Sequence, residues 1–131
     1  MKMNIKIKKI NQNATIPTRG SKYAAGYDLY ACIDEPVTIK PHETVKIGTG
    51  LAFELEVNTF GAIFARSGLA TKQALRPANC VGVADSDYRG EYIVSLHNDS
   101  EIERVVNPND RIAQLVVKPV IQAVFSEVSF L

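Results

Sequence analysis

The sequence predicts an all-β fold of the antiparallel sandwich, barrel or jelly-roll type, and three observations favour it. β-Branched residues prevail among the aliphatic ones, with 13 Val and 12 Ile against 8 Leu, and such side chains keep their preferred rotamers in a pleated sheet. Apolar and polar residues alternate with the period of two that a half-buried strand requires. Turn-forming residues interrupt the chain at short intervals, which is typical of many short antiparallel strands.

The individual strands follow from this alternation. Ile5 and Ile7 stand between lysines, and Leu51, Phe53 and Leu55 alternate with smaller or charged residues. By the same criterion we expect strands around 5–7, 37–39, 45–47, 51–55, 61–65, 92–97, 111–117 and 120–128. Pro, Asn, Asp and Ser residues predict turns at 34–36, 41–42, 58–59, 98–100 and 107–110.

One segment predicts a helix, from about Ser67 to Leu75. Its residues are helix-compatible, and Pro77 prevents continuation because proline lacks the N–H group that a helix interior needs. The helix is therefore expected to be short.

Length and charge bound the possible functions. The 131 residues suffice for one domain, which we expect to span 1–131. The net charge of +1 provides no long-range attraction to nucleic acid or to a membrane surface. No apolar run approaches the roughly 18 residues that cross a bilayer, so a cytoplasmic protein is predicted. Cys32 and Cys80 are too few for a structural zinc site and are expected to be buried small apolar residues.

Four segments carry more glycine and charge than a strand connection requires. They are Ala-Gly-Tyr-Asp-Leu at 25–29, Arg-Ser-Gly-Leu-Ala at 66–70, Gly-Val-Ala-Asp-Ser-Asp-Tyr-Arg-Gly-Glu at 82–91 and Asp-Arg-Ile-Ala-Gln-Leu at 110–115. Ser67 is either the N-cap of the helix or part of an anion site at the helix start beside Arg66. Asp85 lies either in a polar hairpin turn closed by Gly90 or in a site where it orients water, with Tyr88 as a flat floor for a sugar ring.

The other polar candidates have simpler explanations. Asp28 fits a turn after Gly26, and Arg111 fits an ion pair with Asp110 or Glu103. His42 and His97 have no metal-ligand spacing and are expected at the surface or in strand packing.

Taken together and in order, the four segments resemble the first four motifs of the trimeric dUTPases, the deoxyuridine triphosphate nucleotidohydrolases. The resemblance extends over nearly the whole chain, from Pro17 to the strand after Gln114. It implies a jelly-roll-like β-barrel with one short helix, and hydrolysis of dUTP to dUMP and pyrophosphate. It also implies Mg²⁺ carried on the triphosphate, dUMP supply for thymidylate synthesis, and a homotrimer with interfacial active sites.

The resemblance further assigns a role to each candidate residue. Asp85 would hold the deoxyribose 3′-hydroxyl and the attacking water, and Tyr88 would leave no room for a ribose 2′-hydroxyl. Asp28 would act through metal-bound water, and Arg111 would support the polar network. The phosphate oxygens would be held by Arg66, Ser67, Gly68 and Gln114. The hairpin that reads uracil would be lined by Asn79, Gly82, Val83, Ala84 and Ile93.

The chain departs from the family pattern chiefly at its end. The family's glycine-rich C-terminal arm, its fifth motif, is absent, since Gly90 is the last glycine. We expect the natural chain to continue past Leu131, and a protein that ends there to hydrolyse dUTP slowly. Ala65 and Ala84 also replace the residues usual at their positions.

Two alternatives remain. One is a non-catalytic nucleotide-binding or regulatory protein on the same barrel, which the missing arm favours. The other is a dCTP deaminase, which shares the barrel and many phosphate contacts. Gly68 and the Asp85–Gly90 run argue against the deaminase.

Overall fold

The computed structural model describes residues 2–131, and strands dominate them. In chain order the elements are β1 (Lys6–Lys9), β2 (Tyr27–Tyr30), β3 (Val37–Ile39), β4 (Thr44–Gly48), β5 (Leu51–Glu54), β6 (Thr59–Phe64), α1 (Ser67–Gln73), β7 (Leu75–Pro77), β8 (Gly82–Ala84), β9 (Ile93–Asn98), β10 (Arg104–Val106) and β11 (Arg111–Pro119). This arrangement confirms the predicted all-β fold with one short helix.

The strands form four small sheets in which every pairing is antiparallel. The largest has the order β2-β11-β6-β8, and a second has the order β4-β9-β7. Two further pairs, β1 with β5 and β3 with β10, complete the set within residues 2–131. Because neighbours in these sheets are mostly distant in sequence, the topology brings remote segments side by side.

The core is one cluster of apolar side chains, mostly aliphatic, that these strands contribute. Leu29, Ile39, Leu51 and Leu96 are completely buried within it. Strand β5 is buried on both faces, since Ala52 is buried as well as Leu51 and Phe53. The residues that alternate in the sequence therefore do not always alternate in exposure.

Most predicted strands are present, with two kinds of difference. Strands β2, β7, β8 and β10 were not predicted, because these short segments show too little alternation of apolar and polar residues. The strand predicted at 120–128 is wrong. Strand β11 ends at Pro119, and beyond the Val120 N–H bond to Asn58 the backbone has no strand partner in the described residues.

The residues after β11 are nevertheless apolar. Ile121, Val124 and Phe125 are 92%, 95% and 94% exposed. Alternation alone does not make a strand, because a strand needs a neighbour for its backbone hydrogen bonds.

Helix α1 begins where predicted and ends earlier than predicted. Arg66 is the N-cap and no side chain caps the first turn, so the first of the two alternatives for Ser67, an N-cap, is wrong. The helix ends at Gln73 because Ala74 adopts a left-handed conformation, with its N–H bonded to the carbonyls of Ala70 and Leu69. Pro77 lies beyond this end, in β7, and is not what stops the helix.

The two cysteines differ in exposure. Cys32 is half-buried and Cys80 is exposed, so the prediction of a buried Cys80 is wrong. No helix between residues 2 and 131 has the length and apolar character needed to span a membrane.

Tyr92 offers a test of the core. Its ring packs 4.4 Å from that of Phe53, and its buried hydroxyl has no hydrogen-bond partner among the described residues. An unpaired buried hydroxyl is destabilising, so Tyr92→Phe should raise the free energy of unfolding by about 1 kcal/mol at pH 8. Urea unfolding measures this change. Loss of stability on substitution would mean that the hydroxyl is paired in solution.

The same residue predicts a pH dependence. Burial raises the pKa of Tyr92 to about 12 in the folded chain. An unfolded tyrosine releases its proton near pH 10, so ionisation favours unfolding as the pH rises between these two values. The stability advantage of Tyr92→Phe should therefore grow from pH 9 to pH 11.

Candidate active site

Three strands bring four of the predicted site residues together. Gln114 of β11 is opposite both Asp28 of β2 and Phe64 of β6, and Arg66 follows β6. The Arg66 Nε donates to Asp28 Oδ1 at 3.0 Å, and Arg111 Nη1 lies 3.8 Å from Asp28 Oδ2. We call Asp28, Arg66, Arg111 and Gln114 the arginine cluster.

The position of Asp28 and the ion-pair partner of Arg111 differ from those expected from the sequence. Asp28 lies in a strand and not in a turn, and Arg111 pairs with Asp28 in place of Asp110 or Glu103. The side chains of Asp28 and Arg66 are only 15% and 23% exposed. Since one carboxylate faces two guanidinium groups, the cluster retains positive charge that an anion can neutralise.

Gly26 controls the position of Gln114. A Cβ atom at residue 26 would lie 2.1 Å from Gln114 Oε1, which real atoms do not allow. With glycine there, Gln114 Nε2 donates to the Ala65 carbonyl at 2.9 Å. The glycine of the first motif thus allows the glutamine of the fourth to lie beside Arg66.

Ser67 and Gly68 form the exposed first residues of α1. No acidic side chain occupies this first turn, and a Cβ atom at Gly68 would meet nothing within 4 Å. Packing within one chain therefore does not explain the glycine, and the surface beside it is open to a ligand.

A second group of predicted residues lies at the other edge of the same sheet. The residues of β8 alternate in exposure: Gly82 and Ala84 are buried, and Val83 is 64% exposed. Asp85 follows on the exposed side. We call the exposed residues Asn79, Val83, Asp85 and Tyr88 the β8 face. The predicted Ile93 is also exposed, but it lies at the start of β9 in the β4-β9-β7 sheet.

The connection from β8 to β9 is not a hairpin turn, so that alternative for Asp85 is wrong. Strand β8 pairs with β6, whereas β9 pairs with β4 and β7. The residues from Asp85 to Gly90 therefore cross between two sheets. Strands β7 and β9 pair with each other, and the Ala78 N–H bond to the Ser95 carbonyl extends this pairing. Strand β8 and the residues from Asp85 to Gly90 lie in the connection between these two strands.

Tyr88 is held in one orientation by its neighbours. Its hydroxyl donates to the Glu91 carbonyl at 2.9 Å, and its ring lies 6.1 Å from that of Tyr92. A Cβ atom at Gly90 would lie 2.5 Å from the Tyr88 hydroxyl, so glycine is required there for this orientation. The ring remains 45% exposed and presents a flat apolar surface next to Asp85.

The arginine cluster and the β8 face do not meet within one chain. Ala84 is opposite Gly61 in the first half of β6, and Arg66 lies two residues beyond the end of that strand. At roughly 3.3 Å per extended residue, Gly61 and Arg66 are separated by about 16 Å. A general base must lie within hydrogen-bond reach of the group it activates. Asp85 and Arg66 of one chain are therefore too far apart to act on the same phosphate.

The structure also shows a neighbour of the arginine cluster that the sequence did not reveal. A cleft of about 580 Å³ between α1 and β10 is lined by Arg66, Arg111 and Arg104, among others. The Arg104 Nε is buried without an acceptor in the described residues. No motif contains Arg104, so only its placement in the fold connects it with the site. A second depression, near Cys32 and Glu91, contains no predicted site residue.

Comparison with known proteins gives consistent findings. A family model for dUTPase matches residues 12–131. The chain is 49% identical to the deoxyuridine 5′-triphosphate nucleotidohydrolase of Nautilia profundicola, over 96% of this chain and 87% of that protein. It is 47% identical to the protein of the same name from a Psychrobacter species, over 88% of this chain and 76% of that protein.

Solved structures agree on the fold. A variant of the dUTPase of staphylococcal phage 80alpha superposes with a TM-score of 0.91 at 24% identity, over 100% of this chain and 92% of that one. A variant dUTPase of Staphylococcus aureus phage phi11, solved to reveal the coordination of a structural Mg(II) ion, gives 0.89 at 22% identity, over 98% and 99%.

Proposed function

The chain belongs to the dUTPase family, and on that premise we propose that it hydrolyses dUTP to dUMP and pyrophosphate. The observation that supports this most directly is the division of the predicted residues into two complementary groups. One is a positively charged cluster suited to phosphates, and the other is an exposed face with one carboxylate and one flat ring.

The arginine cluster binds the triphosphate in this proposal. Arg66, Ser67, Gly68 and Gln114 hold phosphate oxygens, and Arg111 supports them through Asp28. The ion pair between Arg66 and Asp28 keeps the guanidinium oriented before substrate arrives, which lowers the cost of ordering it. Phosphoryl transfer depends mainly on such positioning and charge neutralisation.

The β8 face binds the nucleoside and activates water. Asp85 accepts a proton from a water molecule whose oxygen attacks the α-phosphorus. The bond from that phosphorus to the bridging oxygen breaks, and pyrophosphate leaves. Asn79, Gly82, Val83, Ala84 and Ile93 surround the uracil, which is recognised mainly by backbone N–H and C=O groups. Gly82 and Ala84 are buried, so they offer the base little beyond their backbone.

The residues present fit magnesium only as an ion that arrives with the nucleotide. Within the described part of the chain no three His, Cys, Asp or Glu side chains are grouped to hold a metal. Asp28 is the carboxylate of the arginine cluster, and it is already engaged by Arg66. It would hold Mg²⁺ through water, which suits an ion that keeps much of its hydration shell. Bound Mg²⁺ would offset the negative charge of the phosphates.

A homotrimer with interfacial sites explains the separation of the two groups. Since Asp85 and Arg66 of one chain are too far apart, each site takes them from different chains. The apolar side chains after Pro119 are exposed to water in one chain. In a closed assembly they pack against a neighbouring chain. Sedimentation as an active monomer at micromolar concentration would contradict this arrangement.

The product defines the cellular role. Hydrolysis lowers the concentration of dUTP and supplies dUMP for thymidylate synthesis. The cytoplasm is the compartment that fits this chemistry and the two free cysteines.

Pyrophosphate release tests the function. We expect faster release from dUTP than from UTP, dCTP and dTTP, and loss of activity with EDTA that excess Mg²⁺ restores. Ammonia release from dCTP at a higher rate would identify a deaminase. Nucleotide binding with no turnover of any of the four would identify a non-catalytic protein.

Tyr88 should determine the preference for deoxyribose. Because its ring is fixed beside Asp85, Tyr88→Ala should bring the kcat/KM values for dUTP and UTP closer together by about tenfold. Gly90→Ala should act in the same direction, since the new Cβ displaces the Tyr88 ring. Steady-state kinetics with both nucleotides measures the ratio. An unchanged ratio in Tyr88→Ala would refute the steric role.

A further inference from the structure

A polar network contacts the turn at residues 77–80, which precedes β8 and belongs to the segment proposed to bind the base. In the β4-β9-β7 sheet, His97 is opposite both Thr44 and Arg76, so the three side chains form a row across the strands. Thr44 Oγ1 and His97 Nδ1 are 2.8 Å apart. Asp99 lies at the end of this row, 3.5 Å from His97 Nε2. None of these residues belongs to the four motifs.

Arg76 and Asp99 form the shortest contact of this network. Arg76 Nε donates to Asp99 Oδ2 at 2.6 Å, and Nη2 donates to Oδ1 at 3.2 Å. Such a paired geometry fixes the guanidinium plane. The same contact lowers the pKa of the Asp99 carboxyl below its usual value, because Arg76 donates to the ionised form.

The remaining nitrogen of Arg76 reaches into the turn that precedes β8. Arg76 Nη1 lies 3.2 Å from the Pro77 carbonyl and 3.5 Å from the Ala78 carbonyl. It is also 3.9 Å from Cys80 Sγ. One guanidinium group therefore contacts three acceptors within four consecutive residues.

This turn needs support. Cys80 has a φ of 66°, a left-handed conformation that is unfavourable for a residue with a side chain. The turn closes through the Cys80 N–H bond to Pro77 at 3.0 Å and the Val81 N–H bond to Asn79 at 2.7 Å. Asn79, at the centre of the turn, is exposed and leads into β8.

We infer that Arg76, oriented by Asp99, is a positioning residue that holds the turn at Asn79 in the shape required to read uracil. This inference rests on the proposed function, since it assigns Arg76 to the base-binding part of that site. Arg76 contacts neither the arginine cluster nor Asp85 among the described hydrogen bonds and ion pairs. Its removal should therefore weaken nucleoside binding and leave the phosphate chemistry intact.

Kinetics of Arg76→Met separate these effects. We expect KM for dUTP to rise about tenfold with kcat within about twofold of wild type, as for loss of binding that ground state and transition state share. Inhibition by dUMP should weaken to the same extent, whereas inhibition by inorganic pyrophosphate should not change. Asp99→Asn should shift the same constants by less, because Arg76 keeps its contacts with the turn. Because Asp99 is exposed, Asp99→Asn tests the inference even if Arg76→Met does not fold.

Lys6→Met is the matched control. It breaks an exposed ion pair of the same kind, between Lys6 and Glu54 at 3.2 Å in the β1–β5 pair, and should leave KM unchanged. If wild type hydrolyses dUTP but both network variants keep its KM, the role of Arg76 is refuted while the function stands. Equal losses of dUMP and pyrophosphate binding would also refute it. Absence of dUTP hydrolysis by wild type would refute the function itself.

Discussion

Asp85→Asn should lower kcat for dUTP by ~10² or more while nucleotide affinity is retained. The substitution preserves the shape of the side chain and removes the group that accepts a proton from water. Asp85 is exposed on the β8 face and makes no ion pair among the described residues, so the fold does not depend on its charge. Single-turnover hydrolysis, together with equilibrium binding of dUMP, distinguishes chemistry from binding.

Asp87 provides the control for this experiment. It is an exposed aspartate in the same connection between β8 and β9, and no role is assigned to it. Asp87→Asn removes the same charge from almost the same place and should keep kcat near the wild-type value. If both variants are equally impaired, a general electrostatic effect of the loop accounts for the loss. Unchanged turnover in Asp85→Asn would exclude it as the base.

If the chain forms the proposed homotrimer, two inactive variants refolded together should recover activity. Arg66→Gln removes the guanidinium group that pairs with Asp28 and should abolish most turnover, as Asp85→Asn does. In a trimer that takes Arg66 from one chain and Asp85 from another, random mixing leaves some sites with both wild-type residues. For equal amounts of the two variants that share is about a quarter of all sites in a cyclic assembly.

The measurement is dUTP hydrolysis after the two variants are unfolded and refolded together. Each variant refolded alone, and the two refolded separately and then combined, are the controls. Recovery only in the co-refolded sample, near a quarter of wild-type activity, is the expected result. If activity does not recover, each site takes both residues from one chain. That outcome would overturn the argument from the separation of about 16 Å between Gly61 and Arg66 along β6.

The sequence by itself predicted the fold class and most of the strands. Alternation at Ile5 and Ile7 or at Val45 and Ile47 reports a half-buried surface, because a pleated strand presents successive side chains to opposite sides. The start of the helix at Ser67 was also predictable, since the residues that follow favour helix. The order of the four motifs was sufficient to indicate the family.

Only the tertiary structure decided which residues meet. Arg66 pairs with Asp28 across 38 positions of sequence, because β6 and β2 both flank β11. No local pattern encodes that neighbour, so the sequence favoured Asp110 or Glu103 as the partner of Arg111. The Arg76–Asp99 contact, across 23 positions, likewise depends on the β7–β9 pairing.

The residues after Pro119 also show that local sequence does not determine which segments pair. Their apolar character predicted a strand at 120–128, yet a strand is defined by a hydrogen-bonded neighbour and not by its own side chains. Local sequence determines which surfaces of a segment are apolar. The arrangement of all segments determines what covers those surfaces, and hence which side chains form a site.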